Sequence, residues 1–234
     1  MDKQALRERV WDDLEASGVA RFPFPPRDRI PNFAGAADAA DRLAATEEWR
    51  GADVVKANPD APQLPVRRAA LRAGKTVYVA VPRLRDRECF LRLDPDAVDD
   101  VDDATTVGGV GDYGDPVGPG DVEPVDLVVS GSVAVTERGE RVGKGEGYSD
   151  LEFALLREFD RVDDDTTTAT TVHERQVVDD DVPTDRHDVP MDLVVTPERT
   201  VRTDHRGGKP AGVDWRALDE ARVAEIPALA ALRE

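Results

Sequence analysis

The stretch Ala52-Asp-Val-Val-Lys-Ala57, with the turn Asn58-Pro-Asp60 after it and, one helical segment later, Thr76-Val-Tyr-Val-Ala-Val81, decides the fold class. Between the two apolar runs, Val66, Ala69, Ala70 and Ala73 recur at helical spacing. Gly74 stands where a helix C-terminus favours a left-handed residue. Thr76–Val81 is apolar almost throughout rather than alternating, as expected of a strand covered on both faces. Strand, helix, strand in this order predicts a parallel α/β sheet.

The pattern continues outward. Asp126-Leu-Val-Val-Ser130 and Ser132–Thr136 read as strands, and Leu151, Phe153, Ala154, Leu155, Leu156 and Phe159 as a helix over 151–159. A strand follows near Ala169–His173, then the buried strand Met191-Asp-Leu-Val-Val-Thr196, with Val201-Arg-Thr203 returning beside it. At the other end, Asp2 caps a helix whose Leu6, Val10 and Leu14 share one face, and Ser17-Gly18 ends it. Phe22-Pro-Phe-Pro-Pro26 is an extended connector. Asn32 is placed to cap a second helix with Ala39, Ala40 and Leu43 inward. Residues 94–125 are rich in Asp, Gly and Pro and read as a solvated excursion with room for one short element rather than a domain boundary; their carboxylates lack the spacing of a calcium loop. Asp214–Leu232 reads as an amphipathic helix interrupted at Pro227. The expectation is one domain over residues 1–234, with the excursion at 94–125 and a helical tail at 210–234.

The charge balance is unusual: 49 acidic against 31 basic residues gives −18, and 26 of the 31 basic residues are arginine. Acid in such excess with so little lysine points to adaptation to high salt, where a Debye length of about 3 Å at 1 M screens self-repulsion. It also argues against nucleic-acid binding, which needs clustered cations. Cys89 is the sole cysteine, so no intrachain disulfide forms; its apolar neighbours predict a buried thiol. No stretch has the length of a membrane span or the look of a signal peptide. A soluble, cytoplasmic monomer is expected.

The chemistry concentrates in Arg141-Val-Gly-Lys-Gly-Glu-Gly-Tyr-Ser-Asp150. It lies between a predicted strand and a predicted helix, where backbone N–H groups wrap phosphate oxygens and glycine lets them approach. The helix start Lys3-Gln-Ala-Leu-Arg7, this loop, and the later Gln176, Pro183, His187-Asp188 and Met191-Asp-Leu-Val-Val-Thr-Pro197 together resemble the 5-formyltetrahydrofolate cyclo-ligase (methenyltetrahydrofolate synthetase) family. Lys56–Pro82 looks like its divergent branch of methenyltetrahydrofolate synthetase domain-containing proteins.

The resemblance implies a three-layer, doubly wound, mostly parallel α/β fold of the ribose-5-phosphate isomerase and CoA-transferase type. It also implies conversion of 5-formyltetrahydrofolate to 5,10-methenyltetrahydrofolate with ATP and Mg²⁺. Carried over residue by residue, Lys3, Arg7, Arg141 and Lys144 meet the phosphates, with the backbone of Gly143, Gly145 and Gly147 as the cradle and Glu146 and Ser149 in the same loop. Tyr148 lies beside the folate, and Asp150 and Asp192 match the metal positions. Read without the family, Asp150 is a helix cap, Arg7 is a surface residue, and Asp192, a carboxylate in an apolar strand, needs a partner. His187 reads as a solvated residue outside the site. Departures are Ser149, where a second aromatic is common, Leu151-Glu152 after Asp150, and no clear match for the pterin-binding glutamate, although Asp60 and Gln63 are nearby. Two alternatives follow: an ATP-dependent enzyme acting on another pterin or formyl compound, and a non-catalytic nucleotide- or RNA-binding relative that uses Arg67-Arg68 and Arg83, Arg85 and Arg87.

Overall fold

The computed structural model describes residues 2–205 and 207–233. The chain opens with α1 (Lys3–Ala16), whose first turn is capped by Asp2 accepting from Gln4 N and Ala5 N and whose Leu6, Val10, Trp11 and Leu14 are buried. Short strands β1 (Ala20–Arg21) and β2 (Asn32–Phe33) pair antiparallel. Asn32 therefore lies in a strand, and α2 (Ala36–Ala44) starts instead from Gly35 at φ +86°, without a side-chain cap. Next come α3 (Glu47–Gly51), β3 (Val54–Ala57), α4 (Leu64–Arg72), β4 (Thr76–Ala80) and β5 (Phe90–Leu93).

The acidic segment 94–125 holds more structure than expected: α5 (Val101–Ala104), α6 (Gly109–Tyr113) and β6 (Asp115–Val117). Buried Ala104, Val110, Val122 and Val125 anchor it. The remaining elements are β7 (Leu127–Val129), β8 (Ala134–Val135), β9 (Arg141–Val142), α7 (Tyr148–Glu158), β10 (Thr167–Thr171), β11 (Leu193–Val195), β12 (Thr200–Arg202), α8 (Glu220–Glu225) and α9 (Pro227–Ala231). Pro227 thus separates two short helices, opening the second, where its missing N–H costs nothing.

Eight strands form one sheet in the order β12-β11-β10-β7-β3-β4-β5-β6. The five from β11 to β4 are parallel, and β12, β5 and β6 add antiparallel pairings at the edges. Helices cover both faces. Val55, Val77, Leu127 and Leu193 pack with Leu43, Val66 and Ala70 of α2 and α4. Val54, Tyr78, Val128 and Val194 pack on the other face with Phe153, Leu155, Ile226 and Leu229 from α7 and the C-terminal helices. α1 buries Leu6, Val10 and Leu14 against Val133, Ala134 and Val142 of the β8–β9 hairpin. After β3 the chain moves to one side to make β4; β7 then pairs on the other side of β3, with β10 and β11 beyond it. The carboxyl ends of β3 and β7 therefore flank a topological switch point, the place where open α/β sheets bind ligands. Among the described residues, no helix is long and apolar enough to cross a membrane.

Candidate active site

Asn58 leaves β3 at that switch point and is buried. Its Oδ1 accepts from Gly131 N, just beyond β7, at 3.0 Å and from Ser149 Oγ at 3.2 Å. Its Nδ2 donates to Glu152 Oε2 at 3.0 Å. One amide thus ties two strand ends to the first turns of α7. Glu152 also forms a buried ion pair with Lys56 of β3, so the charge on each buried face finds its partner on the other.

The glycine loop runs from β9 to α7. Gly145 has φ +112° and Gly147 φ +70°, conformations that side chains rarely adopt. A Cβ on Gly145 would stand 3.4 Å from Arg7 Cζ, because Arg7 lies along the loop and its Nε donates to Gly143 O at 2.7 Å. Gly147 is the N-cap of α7, so Asp150 is the third residue of that helix rather than its cap. Asp150 instead receives both of its short bonds, 2.7 and 2.6 Å, from the Arg141 Nη2 amine. Arg141 Nη1 donates to Gly131 O at 2.9 Å. Burial works against the Arg141 charge, but Asp150 and, farther off, Asp188 and Glu152 outweigh it and raise the guanidinium pKa.

Asp150 Oδ1 also accepts from Val189 N at 3.0 Å, which draws in the preceding Asp188. Lys3 Nζ meets Asp188 Oδ2 at 2.6 Å. Lys3, Arg7, Arg141, Asp150 and Asp188 are therefore one contiguous polar network around the loop. Lys144 and Glu146 pair with each other at 2.7 Å. Asp192 is elsewhere: it is bonded to Lys209 at 2.8 Å, His205 Nε2 at 2.7 Å and Thr168 N at 2.7 Å. Among the described residues, Asp192 and Asp150 share no hydrogen-bond partner, and Asp192 lines none of the three cavities that border the loop. Among the described residues, no group of three or more His, Cys, Asp or Glu side chains could by itself hold a metal ion.

Three cavities border the loop: one of about 450 Å³, lined by Gly145, Glu146, Gly147, Asp150 and Arg222, and two that meet at Arg141. A smaller one, about 240 Å³, is lined by Asn58, Asp60, Pro82, Arg83, Lys144, Tyr148, Ser149 and Glu152. A larger one, about 710 Å³, is lined by Arg138, Asp185, Asp188, Val189 and His205. Arg141 borders both. Asp60 faces the smaller cavity, and burial, opposed by Lys144 and reinforced by Glu152, holds its carboxyl above the usual range. Cys89 is buried, and burial pushes its thiol up to about 12, far from thiolate chemistry. Arg67, expected as half of a surface arginine pair, is fully buried and donates to Asn58 O, Thr105 O and Asp60 O, while Arg68 pairs with Asp102 at 2.9 Å.

A model of the 5-formyltetrahydrofolate cyclo-ligase family matches residues 1–197. The chain belongs to this family. Its curated relatives include methenyltetrahydrofolate synthase domain-containing proteins from mouse, 41% identical over 238 residues, and from human, 38% identical over 239 residues. All of this chain aligns with each of them, but it spans only 64% of the mouse protein and 62% of the human one. Among solved structures, the 5,10-methenyltetrahydrofolate synthetase of Aquifex aeolicus superimposes with a TM-score of 0.56 at 20% identity, over 87% of this chain and 94% of that one. This likeness establishes the shared α/β fold.

Sequence reasoning missed Asn58, Lys56, Glu152 and Asp188 as parts of this neighbourhood. The signal for two of them was present: Lys56 and Glu152 are opposite charges at inward positions of apolar elements, and neither is tolerable without the other.

Proposed function

We propose that the chain closes the ring of 5-formyltetrahydrofolate to 5,10-methenyltetrahydrofolate, releasing ADP and phosphate. The observation that carries this reading is Arg141, one buried guanidinium bordering two cavities and braced by Asp150. A phosphoryl group passing between substrates in adjacent cavities needs such a fixed cation, because catalysis of this transfer is positioning plus charge neutralisation.

The smaller cavity suits the folate: Tyr148 offers a ring, and Asp60 offers a carboxyl group to an N–H-bearing heterocycle in the place where the family's glutamate has no direct match. The larger cavity, lined by Asp188 with Lys3 bonded to it, suits the triphosphate, and Lys144 with the Gly143 and Gly147 backbone faces its terminal phosphate from the smaller cavity across Arg141. The formyl oxygen attacks the terminal phosphorus and the bond to the leaving ADP oxygen breaks. The neighbouring amine then adds to the activated carbon, losing its proton as the C–O bond to phosphate breaks. Arg141 holds position and charge through both steps.

Asp150 and Asp188 are hard oxygen donors joined through the Val189 amide, a set that fits Mg²⁺ completed by phosphate oxygens and water. We assign the second carboxylate to Asp188 in place of Asp192, because Asp188 lines a cavity bordering Arg141 and Asp192 lines neither of them. When bound, the ion neutralises phosphate charge.

The test is the absorbance of 5,10-methenyltetrahydrofolate formed from 5-formyltetrahydrofolate, ATP and Mg²⁺ in molar salt. Product is expected from the native chain and not from Gly145→Asp, whose side chain would enter a left-handed position against Arg7. Native turnover no higher than that variant's would sink the proposal.

A further inference from the structure

The family match stops at residue 197, but the chain beyond it is not a loose appendage. The Lys209 side chain is only 5% exposed and binds Asp192 at 2.8 Å, Asp164 O at 3.0 Å and Thr166 O at 2.7 Å. Val213 N donates to Glu158 Oε1 at 2.7 Å. Val223, Ile226, Ala228 and Leu229 are buried in the same apolar cluster as Leu151, Ala154 and Leu155 of α7. The extension is thereby strapped across α7, and one of its side chains reaches past the apolar contact to the glycine loop.

That side chain is Arg222 of α8. Its guanidinium lies 4.0 Å from the centre of the Tyr148 ring. Nη1 donates to Tyr148 Oη at 2.7 Å, and Nη2 donates to Glu146 O at 2.8 Å. One planar group thus grips the peptide on one side of Gly147 and the aromatic residue on the other. Gly147 has φ +70° and no side chain within 4 Å of where its Cβ would be, so it supplies no packing of its own between those two points. Tyr148 is half-buried and borders the smaller cavity. Stacking and forked donation together require arginine; a lysine ammonium cannot lie flat on the ring while donating in two fixed directions.

We propose that Arg222 is a positioning residue: it fixes the Tyr148 ring and the 146–148 peptide, so the wall of the folate cavity is completed by sequence lying outside the family-matched region. The folate part of this statement rests on the proposed function; the clamp itself does not.

Hydrogen exchange of the full chain without ligand tests the clamp. Arg222→Ala is expected to speed exchange about tenfold in the peptide covering 143–155, whose first bonded N–H, that of Leu151, donates to Gly147 O, the scale of one lost charge-assisted hydrogen bond, with Arg222→Lys in between. Arg233→Ala, which removes a cation over Trp215 in the same extension, is expected to leave that peptide unchanged. Unchanged loop exchange in Arg222→Ala, or an equal rise in Arg233→Ala, overturns the clamp. If Arg222→Ala fails to fold, Arg222→Lys carries the test alone, and native exchange in it is the refuting result. With 5-formyltetrahydrofolate, Arg222→Ala should raise KM several-fold while kcat moves less, partly rescued in Arg222→Lys; a native KM refutes the positioning role. Absence of turnover in the native chain sinks the proposed function and leaves the exchange result standing.

Discussion

Replacing Lys56 by methionine should be among the most destabilising single changes in this chain. The Lys56 and Glu152 side chains are only 1% and 6% exposed. Methionine fills most of the lysine volume, so the loss is electrical rather than steric. Glu152 is left with the Asn58 amide as its remaining hydrogen-bond donor, close to Asp60, whose carboxyl pKa burial and the Glu152 charge already raise. Breaking a buried pair in this way costs about 3–5 kcal/mol. At roughly 2–4 °C per kcal/mol for a chain of this size, Tm should fall by about 6–20 °C. The double variant Lys56→Met/Glu152→Leu removes both charges and should recover most of the loss. It keeps a deficit of about 1–3 kcal/mol for the Asn58 Nδ2 left without its acceptor. Calorimetry of the four corners of this cycle gives the coupling energy. Repeating it in dilute and molar salt adds a control, because a buried pair escapes the screening that abolishes surface pairs. A cost below about 1 kcal/mol for Lys56→Met, or a double variant no more stable than Lys56→Met alone, would refute this account of the pair.

Asp60→Asn should raise Tm at neutral pH. Burial lifts the Asp60 pKa in the folded state, so the protonated form favours folding at low pH, and that benefit is lost as pH rises through the raised value; asparagine removes the cost of ionisation. The same change should cut turnover of 5-formyltetrahydrofolate, and a Tm unchanged or lower at pH 7 would contradict the sign. Asp188→Asn and Asp192→Asn should separate cleanly. The first should raise the Mg²⁺ concentration needed for turnover while shifting Tm little. The second should cost about 1–2 kcal/mol, discounted for the partial exposure of Asp192, with the Mg²⁺ requirement unchanged. Lys209 and His205 bonds overcome burial and hold the Asp192 carboxyl below the usual range, so its contribution is present above about pH 3.8 and fades as pH falls further; the gap between native and Asp192→Asn unfolding curves should close there.

The β3–α4–β4 unit and the glycine loop were legible because each is fixed locally. Buried parallel strands read as unbroken apolar runs, and glycine is required where φ is positive. β6 was not legible: Asp115-Pro-Val117 has no apolar pattern and is a strand only because β5 presents an open edge to it. Asp150 and Asp188 lie 38 positions apart in sequence, and only the Val189 amide shows that they belong together. Arg67 looked like surface charge and is held inside by three carbonyls, which no neighbouring residue announces.

Lysine usage was the underused clue. In a chain with five lysines among 31 basic residues, each lysine has an identifiable partner. Lys3 meets Asp188, Lys56 meets Glu152, Lys144 meets Glu146 and Lys209 meets Asp192. Lys75 is buried, donates to Ala52 O and sits 5.6 Å over the Trp49 ring. Lys56 fits between strand and helix with one carboxylate as its target, where a wider fork would leave donors unsatisfied. On that argument Asp192 is explained by Lys209 as a structural anchor of the extension, while Lys3, retained near the amino end, directs attention to Asp188.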